Sequence, residues 1–155
     1  MGLLRKKKLI YIVQRKLEFD AAHRVMGHEG KCQYVHGHRF AIYVAFIPKD
    51  TLDDVGRVID YGIIKTVLGA WIDKYWDHNI ILNENDINLA KAIGPWCKEA
   101  TPYILPYNPT SENLGKYLLE VVCPKLFKDY RDQITINKIT VWETPNCFAE
   151  VCYDG

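Results

Sequence analysis

Residues 34–47 read YVHGHRFAIYVAFI. Successive side chains of a β-strand point to opposite faces, so a strand here places His36, His38, Phe40, Ile42, Val44 and Phe46 on one side. The β-branched and aromatic content favours that strand, and Pro48 with the KDTLDD cluster at 49–54 marks its end. One face therefore changes along its length from core-forming apolar residues to two imidazoles.

Upstream, residues 9–19 form a second strand pattern in which Tyr11, Val13, Leu17 and Phe19 share a face. Continuing that parity through Ala21 reaches His23, before the polar stretch MGHEGKCQ at 26–33 interrupts. Downstream, Asp60 is a candidate N-cap for a helix running to about Tyr75. Ile64, Val67, Leu68, Trp71, Ile72 and Tyr75 recur at helical spacing and give that helix an apolar face. Residues 83–109, rich in Pro and Asn, read as a long irregular connection with a short helix around 86–93.

A second main helix opens at PTSEN (109–113), capped by Thr110 or Ser111, with Glu112 in its first turn. Its stripe is Leu114, Tyr117, Leu118, Val121 and Val122, and Pro124 kinks it or ends its first part. Residues 134–143 and 147–153 form a closing strand pair around TPNC (144–147). The order strand, strand, helix, helix, strand, strand predicts an α+β fold: an antiparallel four-stranded sheet with two helices on one face.

The chain has 155 residues, which suits a single domain with a basic N-terminal extension over 1–8. Net charge is +1, so neither nucleic acid nor an anionic membrane is an expected partner. No run approaches the roughly 20 apolar residues of a membrane span, and Leu9–Val13 is too short for a signal-peptide core. Met1-Gly2 suits myristoylation, but Lys6 stands where Ser or Thr is needed. Five cysteines without a C-x-x-C pair fit a reducing cytoplasm.

His36 and His38 aim at one point, with Gly37 leaving space between them, and His23 offers a third imidazole from the neighbouring strand. Three neutral imidazoles without a paired thiolate suit Zn²⁺, with the fourth position open to water or substrate. An exposed H-x-H that binds nothing fits the same two positions. The small Ala21 and Ala22 before His23, which admit close backbone approach, favour the metal. Spacing leaves three roles open for Cys32: a fourth ligand that closes the site, a base beside a cation, or a small buried hydrophobe. Asp77 beside His78 in WDHN (76–79) can orient an imidazole for acid–base work, or simply end a helix. Glu143, on the face of Ile139 and Val141, either meets solvent or finds a cationic or amide-rich partner.

Together, FDAAHR (19–24), the C-x3-HGH spacing of Cys32 to His38, GRVIDYGIIK (56–65), WDHN, PTSEN and ETPNC (143–147) resemble the 6-pyruvoyltetrahydropterin synthase family over residues 17–153. The short gap between Cys32 and His36 is similar to the branch making 6-carboxy-5,6,7,8-tetrahydropterin for queuosine and other 7-deazaguanines. The resemblance implies the T-fold, with subunits joined into barrels, commonly homohexamers, and active sites at their interfaces. It implies zinc on His23, His36 and His38, Cys32 as proton acceptor, and His78 as its catalytic partner supported by Asp77. Glu143 would hold the amino and ring N–H edge of a pterin and stand among the proton-relay residues, and Thr110 and Ser111 would help to cradle it.

The implied reaction converts 7,8-dihydroneopterin triphosphate to 6-carboxytetrahydropterin, acetaldehyde and triphosphate. Formation of 6-pyruvoyltetrahydropterin from the same substrate is the alternative. So is a non-catalytic zinc- or pterin-binding module in which Cys32 closes the site. Arg24, His28 and Lys31 cluster where a triphosphate could be met, or in a solvated loop. Two positions depart from the family pattern. The 83–109 connection is long, and Arg39 replaces a frequent Asn or Ser, although strand parity turns it away from the histidines.

Overall fold

Two long strands, β1 (Val13–His23) and β2 (His36–Pro48), pair antiparallel with His23 opposite His36 and Ala21 opposite His38. The computed structural model describes residues 8–154, so the basic extension, apart from Lys8, lies outside the described residues. The inward parity is as the sequence predicts. Phe40, Ile42, Val44 and Phe46 are fully buried, and Phe19 stacks on Phe40 with ring centroids 5.1 Å apart. Each such side chain removed from water contributes roughly 1.5–3 kcal/mol.

Helix α1 (61–75) follows. It comprises α-helical Tyr61–Ile64 and Ala70–Tyr75 around a π-helical stretch, Lys65–Gly69. Asp60 caps it, accepting from the Gly62 amide at 2.6 Å, and its buried stripe is Ile64, Leu68 and Ile72. After α1 comes a short strand, β3 (Asn79–Asn83), then α2 (Ile87–Ile93) and β4 (Tyr103–Leu105). Helix α3 (111–126) is again α-helical at both ends, Ser111–Tyr117 and Cys123–Leu126, around a π turn, Leu118–Val122. Pro124 falls just past that π turn, at the start of the last helical segment. Strands β5 (Ile134–Thr144) and β6 (Cys147–Cys152) close the chain as a hairpin.

Among the described residues the sheet has six strands in the order β4-β3-β1-β2-β5-β6 and there are three helices, which corrects the expected four-stranded, two-helix arrangement; the third helix, α2, is the short one expected around 86–93. The antiparallel core β1-β2-β5-β6 is the predicted one; β3 and β4 extend it in parallel on the β1 side. Ile80, Ile81 and Leu82 of β3 are all buried. Such a run shows no alternation, because a parallel strand is covered on both faces. β4 has only three residues between Pro102 and Pro106, too few to show a period.

Helices α1 and α3 pack on the inward face of the antiparallel core, where Ile64, Leu68, Leu114 and Leu118 meet Ile42, Val44, Ile139 and Val141. The approach of α3 is close: a Cβ on Gly115 would lie 2.8 Å from Val151 Cγ2. The outward face carries Lys16, Glu18, Asp20 and Arg39, and Arg39 there pairs with Asp20 (2.8 Å) and Glu18 (3.8 Å), away from the histidines as parity requires.

Candidate metal centre and active site

The apolar inward stripe of β1 and β2 ends in imidazoles at one end of the strand pair. His23, His36 and His38 have ring centroids 4.6, 5.1 and 4.8 Å apart pairwise, and their ligating nitrogens all lie within 4.8 Å of one another. Two metal–nitrogen bonds of about 2.1 Å span at most about 4.2 Å, so small ring rotations close this group on one ion. Between the two β2 histidines, Gly37 allows a close approach: a Cβ there would lie 3.3 Å from the Ala21 carbonyl oxygen, a tight contact.

The group is already oriented for ligation. His23 Nδ1 donates to the Pro109 carbonyl at 2.7 Å, and His36 Nδ1 to the Tyr34 carbonyl at 2.7 Å. Each bond fixes the tautomer and leaves Nε2 as a lone pair. His23 Nε2 and His38 Nε2 are buried with no hydrogen-bond partner, which a metal ion would supply. Burial lowers the pKa of His23; the Pro109 bond and Glu143 oppose this in part, and the neighbouring imidazoles add to it. Burial likewise lowers His38, against the raising influence of Glu143. Both rings are thus held neutral, the form that binds metals. The residues fit a three-imidazole metal site.

Glu143 joins this group. The β5–β6 register shifts between Trp142 and Thr144, so Glu143 stands at a bulge, and its Oε1 lies 3.4 Å from His38 Nε2 without hydrogen-bond alignment. Beside it, a surface hollow of about 540 Å³ is lined by Lys16, Tyr43, Trp142 and Thr144, among others.

Asp77 and His78 follow α1 in a turn. Asp77 Oδ1 accepts from the Asp20 amide (2.9 Å) and Oδ2 from His78 Nδ1 (2.7 Å), while the His78 amide donates to the Asp20 carbonyl (2.7 Å). This clamp holds His78 at φ 56°, a left-handed conformation that costs a non-glycine residue about 1–3 kcal/mol. The imidazole gives Nδ1–H to Asp77, and His78 helps to line a shallow hollow with Asp20, Ala22, Gly37 and Arg39. Burial pushes the Asp77 carboxyl up, and the Asp20 amide, the His78 bond and the charges of His78 and Lys98 together outweigh it, leaving it below the usual range.

Cys32 is half-buried in a 3-10 turn, Lys31–Gln33, and does not join the imidazole group. Its carbonyl accepts from the Val25 amide at 2.8 Å. Thr110 Oγ1 caps α3, accepting from the Asn113 amide at 3.3 Å, and Ser111 donates to Glu112 at 3.4 Å. Arg24 is paired with buried Asp86 and donates to the Gln33 carbonyl. Sequence reasoning missed the two carbonyls of Tyr34 and Pro109 that orient imidazoles. A main-chain acceptor leaves no residue-type signal, although Pro109 adjoins the PTSEN motif.

The family model for 6-pyruvoyl tetrahydropterin synthase matches residues 12–153. A Rickettsia bellii protein named 6-carboxy-5,6,7,8-tetrahydropterin synthase is 41% identical over 137 residues, covering 88% of this chain and 96% of that one. Among solved structures, an uncharacterized Wolinella succinogenes protein superposes with a TM-score of 0.78 at 20% identity, covering 95% of this chain and 100% of the other. The Caenorhabditis elegans 6-pyruvoyl tetrahydropterin synthase gives 0.66 at 20% identity, covering 94% and 97%. Those two likenesses concern the fold, which is the T-fold.

Proposed function

The chain belongs to the 6-pyruvoyl tetrahydropterin synthase family, and from that membership we propose that it is a zinc-dependent lyase acting on 7,8-dihydroneopterin triphosphate. With consumption of water, the products are 6-carboxy-5,6,7,8-tetrahydropterin, acetaldehyde and triphosphate, as a step toward queuosine and related 7-deazaguanines. The observation that carries this reading is the convergence of three imidazoles, two with Nδ1 committed to carbonyls and two with buried, unpartnered Nε2 atoms.

His23, His36 and His38 would hold the zinc. Bound there, zinc supplies Lewis acidity that eases deprotonation of a side-chain hydroxyl and the adjacent C–H. Cys32 accepts a proton on one side of the substrate. That Cys32 stands outside the imidazole group supports an open fourth position rather than a closed Cys-His₃ site. His78, its tautomer set by Asp77, exchanges a proton through Nε2. Glu143 accepts from the amino and ring N–H groups of the pterin, and its position beside His38 supports a substrate that spans both. Thr110 and Ser111 shape the adjoining wall.

Assembly into a cytoplasmic homohexamer with sites at subunit interfaces is part of the proposal. It is supported by the free sheet edges at β4 and β6 and by exposed Leu9, Ile10 and Ile12. Among the described residues, no helix is long and apolar enough to cross a membrane.

The test is incubation of zinc-loaded protein with dihydroneopterin triphosphate, followed by mass analysis of the pterin and assay of acetaldehyde. Carboxytetrahydropterin with equimolar acetaldehyde is expected. A pyruvoyl product without acetaldehyde would move the chain to the sister reaction, and unchanged substrate would remove the enzyme assignment.

A further inference from the structure

The β1–β2 connection, which carries Cys32, is tied to the rest of the molecule at a residue remote from it in sequence. Asn108 holds the Met26 main chain at two points: its Oδ1 accepts from the Met26 amide (3.1 Å), and its Nδ2 donates to the Met26 carbonyl (2.8 Å). The same Oδ1 accepts from Asn83 Nδ2 (3.0 Å), and the Asn108 carbonyl accepts from Asn113 Nδ2 (2.9 Å), so strand β3 and helix α3 brace the clamp. The next residue, Pro109, is buried and gives its carbonyl to His23 Nδ1 at 2.7 Å. Inside the connection, the Val25 amide donates to the Cys32 carbonyl at 2.8 Å. A chain of named hydrogen bonds thus runs from the Cys32 turn through residues 25 and 26 to Asn108, and through Pro109 to a histidine of the metal group.

We propose that Asn108 is a positioning residue that fixes the Cys32 turn relative to the three imidazoles. This rests on the assignment of Cys32 as the proton acceptor. A primary amide carries a donor and an acceptor on one planar group and so can bond the amide and carbonyl of one residue at once. Asn at this position meets that requirement at short reach. Asp keeps the shape but sets an acceptor against the Met26 carbonyl, leaving that carbonyl without its donor.

The experiment compares Asn108→Asp, Asn108→Ala and Asn83→Ala as zinc-loaded proteins. Two quantities are read: the rate at which iodoacetamide alkylates Cys32, followed by peptide mass mapping, and kcat and KM separately. A base displaced by about 1 Å costs on the order of 10²-fold in rate. The expected result for both Asn108 variants is a kcat lower by about that factor with KM little changed, zinc stoichiometry retained, and Cys32 alkylated several-fold faster. Asn83→Ala, which removes one brace but spares both Met26 bonds, gives a smaller change in both quantities than either Asn108 variant. If Asn108→Asp lowers only thermal stability, with kcat and Cys32 alkylation unchanged, Asn108 is a structural brace and the proposal is overturned. The alkylation arm needs no turnover. A protein inactive on the pterin substrate would therefore still report on the clamp, and failure of the enzyme assignment is separable from failure of this one.

Discussion

Replacing Asp77 with Asn tests the acid–base half of the site with a change of one atom. The carboxylate uses both oxygens, Oδ1 for the Asp20 amide at 2.9 Å and Oδ2 for His78 Nδ1–H at 2.7 Å. An amide has a single acceptor oxygen. If that oxygen stays with the Asp20 amide, the NH₂ group faces His78 Nδ1, which must then become an acceptor, and the imidazole proton moves to Nε2. Loss of a hydrogen bond to a charged group costs about 1.5–3 kcal/mol when shielded from water. Here the side chains are 26% (Asp77) and 72% (His78) exposed, so solvent screening reduces the stability loss to about 1 kcal/mol. The effect on turnover is larger, because Nε2 changes from acceptor to donor and a general base contributes about 10²–10⁴-fold.

Long-range ¹H–¹⁵N correlation of the imidazole reads the tautomer without substrate, and kcat reads the consequence. The Asp77→Asn protein should show the Nε2–H tautomer and a kcat at least about 10²-fold lower. An unchanged Nδ1–H tautomer, or an unchanged kcat, would refute the orienting role. The same carboxyl has its folded pKa depressed. Its stabilising contribution is therefore fully present above the ordinary carboxylate value of about 4 and is lost as pH falls through the lower folded value. Melts across that acid range should fall off less steeply for Asp77→Asn than for the unsubstituted protein.

Three further outcomes are expected. His36→Ala should bind zinc substoichiometrically by elemental analysis, since two imidazoles remain; full zinc content would dismiss the three-histidine assignment. Cys32→Ala should keep its zinc and lose turnover, whereas loss of metal in that variant would point to a thiolate ligand. Glu143→Gln places an N–H against a substrate N–H at a cost of roughly 1–3 kcal/mol, so pterin affinity measured by titration should weaken by about one to two decades with zinc retained. An affinity equal to that of the unsubstituted protein would mean that Glu143 does not meet the pterin.

The antiparallel core and its inward face were legible because alternation is a local property. The pattern from Phe19 to His23 and from His36 to Phe46 fixes which side each residue takes once a strand forms. The helices at 61–75 and 111–126 were legible for the same reason, with Asp60 and Thr110 as caps. The two added parallel strands, β3 and β4, were not. Ile80–Leu82 and Tyr103–Leu105 are short apolar runs whose state depends on a parallel partner supplied from elsewhere in the chain, and no local period records it. Residue types and parity likewise determined that three histidines share one side.

Only the tertiary structure decided how those histidines are held and what surrounds them. The carbonyls of Tyr34 and Pro109 select the imidazole tautomers, a bulge brings Glu143 to His38, and the main chain of Asp20 clamps His78 in a left-handed conformation. Asn108 ties Met26 to α3 across more than eighty residues of sequence. These contacts are made by backbone groups or across long separations. A backbone carbonyl is the same in every residue, so its role is set by where the folded chain places it.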